Sequence, residues 1–416
     1  MNDFKLHNFK KPIGVKGDWA PSFWLNDVAI EPQFLNLQKP SQNRYDLIIV
    51  GGGLTGLTAA LFVKARRPEA SVLVIERGLL AAGATINSAG FATIGSISEI
   101  LMHEAREGTE AIVTLTHRKL QGLRLLERLC GGASIDFDIS GDFDVFGDHE
   151  NDLFESSADH LDRLNTALYE QTSEKTVFSM ADESMARCSI NAKHVIKNRL
   201  NGSFHPGKLS QVLLQKVLDN HIDLATGVNI TAVESGQVAG ENLAGNEVEF
   251  YGTQVLLATN AYASELSPEL TDIKPGRGQV LVTTPIKNLK LDRPCHIRRG
   301  FDYARPVTDH NGMQRVLIGG GRDLEIDTET TLERGTTEPI LAHIKDTLQN
   351  VLLPNLIIGE DYDIDQTWSG TMGFGPQSAP RIKQIKPGLY CAVGLSSMGL
   401  AIGSLVGSEA ADMLLS

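Results

Sequence analysis

The stretch LIIVGGGLTGLTAAL, residues 47–61, decides the fold of this chain. It begins with an apolar run that predicts a short strand buried on both faces. Gly51, Gly53 and Gly56 follow at GxGxxG spacing and open a helical pattern. A second apolar run, SVLVIER, carries Glu76 about 20 residues beyond the last glycine. The pattern predicts the strand–helix–strand unit of a dinucleotide site.

Each part of this unit has a physical reason. Gly51 permits the tight turn, Gly53 lets the backbone approach a pyrophosphate, and Gly56 lets helix and strand pack closely. The helix N-terminus offers free N–H groups to phosphates, and the Glu76 carboxylate can accept the ribose hydroxyls. The glycines alone leave NAD and FAD open. The predicted contacts here are Gly51, Gly53, Leu54, Thr55, Gly56, Glu76 and Arg77.

Three later segments favour a long ligand that runs through the protein. GATINSAGF follows the second strand, and its small residues permit close backbone approach. LLATNAY ends a strand far downstream, and VGLSSMGLAIG forms a late strand–turn–helix that an NAD enzyme of ordinary size does not need. The predicted contacts are Ala84, Thr85, Asn87, Ser88, Ala89, Gly90, Phe91, Thr259, Asn260, Ala261, Gly394, Ser397, Met398, Gly399 and Leu400.

The composition excludes several classes of protein. With 38 Lys and Arg against 51 Asp and Glu, the net charge is −13, which disfavours nucleic-acid binding. The four cysteines form no CxxC pair, which argues against a zinc site or a disulfide framework and fits a reducing cytoplasm. The N-terminus lacks the apolar core of a signal peptide, and no window approaches the roughly 18 uninterrupted apolar residues of a membrane span. We expect a cytoplasmic protein with no metal and no membrane span.

Eight motifs together resemble the FAD-dependent D-amino-acid oxidase superfamily, over nearly the whole chain from Tyr45. The branch with glycine, sarcosine and gamma-glutamylputrescine oxidases is most similar, and SFWLN and FDYARP resemble the gamma-glutamylputrescine oxidase group. The motifs are YDLIIVGGGLTGLTAALF with VLVIERG, GATINSAGF, FHPGKL, LLATNAY, GRGQVLV, FDYARP with VLIGGG, TWSGTMGFGPQSAPRI, and YCAVGLSSMG.

The resemblance implies resident FAD and an α/β fold. A Rossmann-like FAD-binding domain of the glutathione-reductase type would be interleaved with an antiparallel-sheet α+β substrate domain. Residues 1–40 would form an N-terminal arm over the protein, because Trp19, Phe23, Trp24 and Phe34 are costly in water. The FAD-binding segments are expected at 41–130, 205–265 and 369–416, and the substrate segments at 131–204 and 266–368.

Departures from the family refine the expectation. Asn87 cannot form the covalent flavin bond made by a histidine in the dimethylglycine-dehydrogenase type, and the cysteine of the sarcosine-oxidase type is absent near Gly370. FAD is therefore expected to be non-covalent. Leu317 aligns with a lysine that promotes reaction with oxygen in the sarcosine-oxidase type. Oxygen and a quinone both stay open as the electron acceptor.

Residues that orient a substrate are expected, because the cofactor carries the hydride chemistry. Arg305 is the candidate to bind a substrate carboxylate, with a surface salt bridge as the alternative. Tyr303, two residues before Arg305, would point to the same face of the strand and could also contact the substrate. The alternative is a tyrosine packed in the core. Trp368 walls the substrate cavity or packs in the core, and His205 acts as a base or fixes the turn before the helix at 208–220.

These features predict an enzyme that oxidises the C–N bond of a small amine or amino acid to an imine, which is then hydrolysed. The alternative is a flavin-holding subunit or inert flavoprotein that acts with a separate catalytic partner. A two-component monooxygenase using NADPH would need a second nucleotide motif, and the sequence has none.

Overall fold

A computed structural model describes residues 11–28, 40–78 and 82–416 of the chain. Two large sheets and the helices around them form the mixed α/β fold predicted from the sequence. Phe34, one of the aromatic residues predicted to anchor the N-terminal arm, lies outside the described residues.

The strands are, in chain order, β1 (Arg44–Val50), β2 (Val72–Glu76), β3 (Phe91–Ala92), β4 (Asp142–Phe146), β5 (Phe178–Met180), β6 (His194–Asn198), β7 (Gly202–Ser203), β8 (Asp223–Thr226), β9 (Val228–Glu234), β10 (Gln237–Asn242), β11 (Glu247–Leu257), β12 (Lys274–Thr283), β13 (Cys295–Ile297), β14 (Asp302–Thr308), β15 (Gln314–Gly320), β16 (Ile364–Phe374), β17 (Arg381–Lys386) and β18 (Leu389–Val393).

The α-helices are α1 (Phe23–Asp27), α2 (Leu54–Arg66), α3 (Ala84–Asn87), α4 (Ile97–Glu107), α5 (Thr109–Cys130), α6 (Asn151–Asp159), α7 (Leu161–Thr172), α8 (Glu183–Cys188), α9 (Pro206–Asp219), α10 (Ala263–Leu266), α11 (Ile326–Glu329), α12 (Glu338–Thr347) and α13 (Gly399–Leu415).

The first sheet has the order β17-β18-β11-β1-β2-β8, with β10 and β9 attached beyond β11. Strand β1 is at its centre and pairs in parallel with β11 and β2. Its side chains alternate between two cores: Leu47 and Ile49 face the helices, whereas Ile48 and Val50 face the opposite apolar layer. Burial on both faces explains why the β1 sequence is an unbroken apolar run.

Helix α13 lies in the core between α2 and α5. The segment Ser396–Leu415 is long and apolar enough to cross a membrane by length and composition alone, but half of its apolar window is buried against the rest of the protein. Close approach to α5 is possible because Gly122 has no side chain: a Cβ there would lie 2.2 Å from the Ala401 carbonyl oxygen. This packing favours a core helix.

The second sheet has the order β16-β12-β15-β14-β13-β4-β6-β5 and is antiparallel except where β13 pairs with β4. One face packs on α12, through residues such as Ile318 and Ile344. Its strands come from the two stretches predicted for the substrate domain, but β16 continues across the boundary predicted at 368/369.

The described part of the N-terminal arm packs into the protein. Helix α1 buries Phe23 and Trp24 in a cluster with Val280 and Trp368 of the second sheet. The Asp27 carboxylate, itself buried, lies 3.0 Å from His205 Nε2.

The α5–α13 contact gives a stability prediction. Gly122→Ala should lower the free energy of unfolding by about 1–3 kcal/mol, because the added methyl group must push two packed helices apart. Urea unfolding measures the change. Gln121→Ala, at the exposed neighbouring position of α5, is the matched control and should stay within about 0.5 kcal/mol of the parent. Equal stabilities for the two variants would contradict the close helix contact.

Candidate cofactor and active site

A cavity of about 990 Å³ lies between the two sheets. At one end, the turn end, it is bordered by the residues that follow β1 and β2. At the other, the second-sheet end, it is bordered by Gly278, Tyr303, Gly320 and residues around them. Ligands of open parallel sheets bind at the carboxyl ends of the strands, which is where the turn end lies.

The glycine turn has the shape that the sequence predicts. Gly51 has φ of +115°, and a Cβ there would lie 2.6 Å from the Ala258 carbonyl oxygen. A Cβ on Gly56 would lie 1.9 Å from the Gly51 oxygen, so only glycine lets the helix start this close to the strand. Gly53 faces the cavity, and its Cβ position has only the Thr85 hydroxyl nearby, at 3.2 Å.

Glu76 ends β2 on the cavity wall, and its side chain is buried. Its two oxygens accept hydrogen bonds from the backbone N–H groups of Gly52 and Gly78, at 3.0 and 2.9 Å. Burial raises the pKa of the carboxyl, and these N–H groups act in the opposite direction. Each oxygen keeps acceptor capacity for a ribose hydroxyl.

The segment from Ala84 to Ser88 is held from several sides by hydrogen bonds to its main chain. Ser22 Oγ donates to the Ile86 oxygen at 2.8 Å, and Trp24 Nε1 donates to the Ser88 oxygen at 2.7 Å. Trp368 Nε1, from the second sheet, donates to the Asn87 oxygen at 3.0 Å. The arm and β16 together fix this part of the cavity wall.

The structure brings most of the predicted cofactor residues to one cavity. Those that line it are Gly51, Gly53, Leu54, Thr55, Glu76, Arg77, Ala84, Thr85, Asn87, Ser88, Ala89, Gly90, Phe91, Thr259, Asn260, Ser397, Met398, Gly399 and Leu400.

Gly56, Ala261 and Gly394 lie behind the cavity wall. Gly56 serves the helix–strand contact, and Ala261 is fully buried. The Gly394 N–H donates to Asn260 Oδ1 at 3.0 Å, which holds two wall segments together.

The cavity wall fits FAD. Asn87 Oδ1 and Thr259 Oγ1 are buried there without a hydrogen-bond partner in the described part of the chain, and buried polar atoms normally have one. The first N–H groups of α2 have no partner within the helix. The Leu54 N–H donates to Thr85 Oγ1, outside the helix. The turn end would hold the pyrophosphate and Glu76 the ribose, which leaves Ala84–Phe91 and Ser397–Leu400 for the flavin half.

The structure corrects the placement predicted for Arg305. Its side chain is buried behind Gly90, outside the cavity lining, and stacks 5.0 Å from the centre of the Trp24 ring. Its Nη2 donates to the Phe204 oxygen at 3.0 Å, and its Nε has no partner among the residues that the structure describes. Burial lowers the pKa of Arg305 to about 9. The arm therefore occupies the space that a substrate carboxylate would need.

The other substrate-side candidates divide between cavity and core. Tyr303 lines the cavity, and burial raises its pKa to about 12, so its hydroxyl stays protonated. Trp368 packs in the core instead of walling the cavity, as its hydrogen bond to Asn87 requires. His205 fixes the start of α9: its Nδ1 accepts from the N–H groups of Gly207 and Lys208.

Sequence reasoning missed Arg322, which lines the second-sheet end. Its guanidinium stacks 4.3 Å from the centre of the Phe374 ring. Within the described chain no hydrogen bond or ion pair engages it, because Glu329 is held by Arg277 and Asp323 by Arg298. Burial lowers the pKa of Arg322. The signal was present in the sequence as an arginine directly after the GGG that ends a strand.

Helix α4 and strand β13 contribute further titratable groups that the sequence did not single out. Glu99 and His103 line the cavity from α4, and His296 from β13. Burial acts to lower the pKa of His296. The Asp142 carboxylate, whose Oδ2 lies 2.9 Å from His296 Nε2, acts in the opposite direction, and the pKa of His296 is raised overall.

Glu76 gives a test of the turn end. Glu76→Ala should weaken FAD binding by about 1–3 kcal/mol, because the ribose loses a charged acceptor. Fluorescence titration of the apoprotein with FAD measures the dissociation constant. Glu69→Ala, at an exposed position in the turn before β2, is the control for loss of one negative charge. Unchanged FAD affinity in Glu76→Ala would show that the ribose is held elsewhere.

Known proteins share this architecture. The family described as FAD dependent oxidoreductase (DAO) matches residues 46–413. A probable oxidoreductase, OrdL, of Haemophilus influenzae is 22% identical over 389 residues, covering 89% of this chain and 83% of its own.

Solved structures agree on the fold. Glycine oxidase from Geobacillus kaustophilus superposes with a TM-score of 0.69 at 20% identity, covering 90% of this chain and 95% of its own. L-proline dehydrogenase from P. horikoshii superposes with a TM-score of 0.66 at 17% identity, covering 89% of this chain and 93% of its own. The family and the FAD cofactor predicted from the sequence are confirmed. The chain belongs to the DAO family of FAD-dependent oxidoreductases.

Proposed function

We propose that the protein oxidises the C–N bond of a small amine or amino acid that carries a carboxylate. The observation behind this proposal is Arg322, a guanidinium on the wall of the second-sheet end. It makes no hydrogen bond or ion-pair contact in the described chain, although Glu329 and Asp323 act on it through space. A guanidinium binds a carboxylate through two parallel hydrogen bonds. Stacking on Phe374 would hold its plane in one orientation for that purpose.

The residues at this end of the cavity can orient and enclose a substrate. Gly278 has no side chain, and because a Cβ there would lie 3.6 Å from the Tyr303 hydroxyl, it leaves room beside that group. Tyr303 would donate a hydrogen bond from its protonated hydroxyl. Phe91, Met372 and Phe374 are apolar groups on the same wall and would keep water from the substrate. When bound, FAD would supply the hydride acceptor, and the imine product would be released for hydrolysis.

Glycine oxidase, proline dehydrogenase and L-amino acid deaminases share the fold and support this class of substrate. The alternative of a flavin-holding subunit is disfavoured by the second-sheet end, since a pure scaffold has no need for an unpaired arginine in a cavity. Anaerobic addition of a panel of amines, with the flavin absorbance followed, tests the proposal. Failure of every amine to bleach the flavin would overturn it.

Arg322 gives a sharper test. Arg322→Met should raise the half-saturating concentration for flavin reduction by N-methylglycine about ten- to a hundredfold, because a charge-assisted pair contributes about 1.5–3 kcal/mol. Stopped-flow reduction measures it. Arg322→Met should leave the half-saturating concentration unchanged for an amine of similar size without an acid group. Arg163→Met removes an arginine paired with Glu104 outside the cavity and is the control. An equal rise in the half-saturating concentration for amines with and without a carboxylate would show that Arg322 does not bind the substrate carboxylate.

The electron acceptor gives a separate prediction. Leu317 is fully buried in an apolar cluster with Val280 and Trp368, so the position aligned with an oxygen-promoting lysine carries no charge. We propose that a quinone or another non-oxygen acceptor reoxidises the flavin. Reduced protein mixed with a soluble quinone should reoxidise at least about tenfold faster than with air-level oxygen, a difference of about 1.4 kcal/mol in barrier. Equal rates would overturn this choice of acceptor.

A further inference from the structure

Helix α4 brings two hydrogen-bond acceptors to the cavity wall. Glu99 and His103 lie four residues apart, and both line the cavity, as expected for one helix face. Glu99 is only 7% exposed, and its Oε2 is buried with no hydrogen-bond partner. Among the residues that the structure describes, none donates a hydrogen bond to Oε1 either. This carboxylate therefore lacks the hydrogen bonds that buried polar groups normally have.

The hydrogen bonds of Ser378 fix which nitrogen of His103 is an acceptor. Ser378 Oγ donates its one hydrogen to Glu107 Oε1 at 2.7 Å and accepts from Arg106 at 2.7 Å. His103 Nδ1, 2.9 Å from the same oxygen, must therefore carry a hydrogen and donate it. Burial lowers the pKa of His103, which favours the neutral ring. Its Nε2 is then an acceptor.

The two acceptors face one another without a hydrogen between them. Glu99 Oε1 and His103 Nε2 are 3.9 Å apart, too far for a hydrogen bond. One ammonium nitrogen at about 2.9 Å from each could donate to both. Gly300 leaves space beside the carboxylate, since a Cβ there would lie 3.6 Å from Glu99 Oε2.

The neighbouring cations do not fill this role. Lys119 acts on Glu99 through space, but its Nζ donates to the Ile94 oxygen at 3.2 Å. His296 lies against Asp142, and Glu99 also raises the His296 pKa through space, but His296 Nδ1 makes no hydrogen bond to Glu99 in the described chain. Neither makes an ion-pair contact with Glu99 in the described chain, so the missing donor is a group that enters the cavity.

We propose that Glu99 and His103 form a subsite for a second, non-reacting ammonium group of the substrate. A carboxylate neighbour keeps an amine protonated, and a protonated amine has no lone pair to form the imine as hydride leaves. The nitrogen bound here is therefore not the one that is oxidised. The substrate class is an amino acid or amine with an additional basic nitrogen. This assignment rests on the proposed function for the reaction at the other nitrogen.

Two matched secondary amines test the subsite. N-(2-aminoethyl)glycine and N-propylglycine share the reacting amine and the carboxylate, and differ in a terminal ammonium against a methyl group. Calorimetric titration of the anaerobic FAD-loaded protein should show the aminoethyl compound binding about tenfold more tightly or better. Glu99→Gln should abolish that preference and leave N-propylglycine unchanged. His103→Leu should reduce the preference while Glu99 keeps its charge.

Glu104→Gln is the matched control. It removes a carboxylate that lies on the same helix as Glu99 but pairs with Arg163 outside the cavity. It should retain the full preference, and FAD content reports folding of each variant. No preference in the parent protein, or a preference that survives Glu99→Gln, would overturn the subsite. Flavin absorbance is read in the same titration: a Glu99-dependent preference without bleaching supports the subsite and contradicts the proposed function.

Discussion

The three hydrogen bonds that anchor the end of α3 hold the site together. Consecutive carbonyl oxygens, of Ile86, Asn87 and Ser88, each accept from a side chain that is distant in sequence: Ser22, Trp368 and Trp24. The last carbonyls of a helix have no partner of their own, so these donors satisfy them and fix the helix in place. The arm, the start of α2 and the second sheet meet at this one short segment, and the wall of the cavity between the sheets depends on it.

The second-sheet end combines groups of both charges on a mostly apolar wall. In the described chain Arg322 makes no hydrogen bond or ion-pair contact, and Glu99 accepts no hydrogen bond at its side chain. Tyr303 stays protonated. Unpaired charges in a half-buried cavity are costly unless a ligand neutralises them. An anionic group and a cationic group on one substrate would do so together, which links the reaction class to the shape of its substrate.

The turn end could be predicted from the sequence, because its motif is local. The roles of Gly51 and Gly56 follow from the spacing of β1 and α2, and their contacts are as expected. The substrate side depends on long-range packing. Strand alternation correctly places Tyr303 and Arg305 on one face, yet it cannot show that Trp24 of the arm covers the arginine. The position of Arg322 directly after the GGG that ends β15 is a local signal, but it does not show that the side chain lies on the cavity wall.

The cavity wall contains both Gly53 and Leu400, and α13 packs between α2 and α5. Segments separated by most of the chain must therefore meet before the cavity exists. During synthesis the glycine turn emerges early, but its ligand has no complete wall until the last helix has left the ribosome. The complete cofactor site can therefore form only after the last helix has been synthesised. Folding dominated by such distant contacts is slow, so cofactor supply would decide how much protein reaches the finished state.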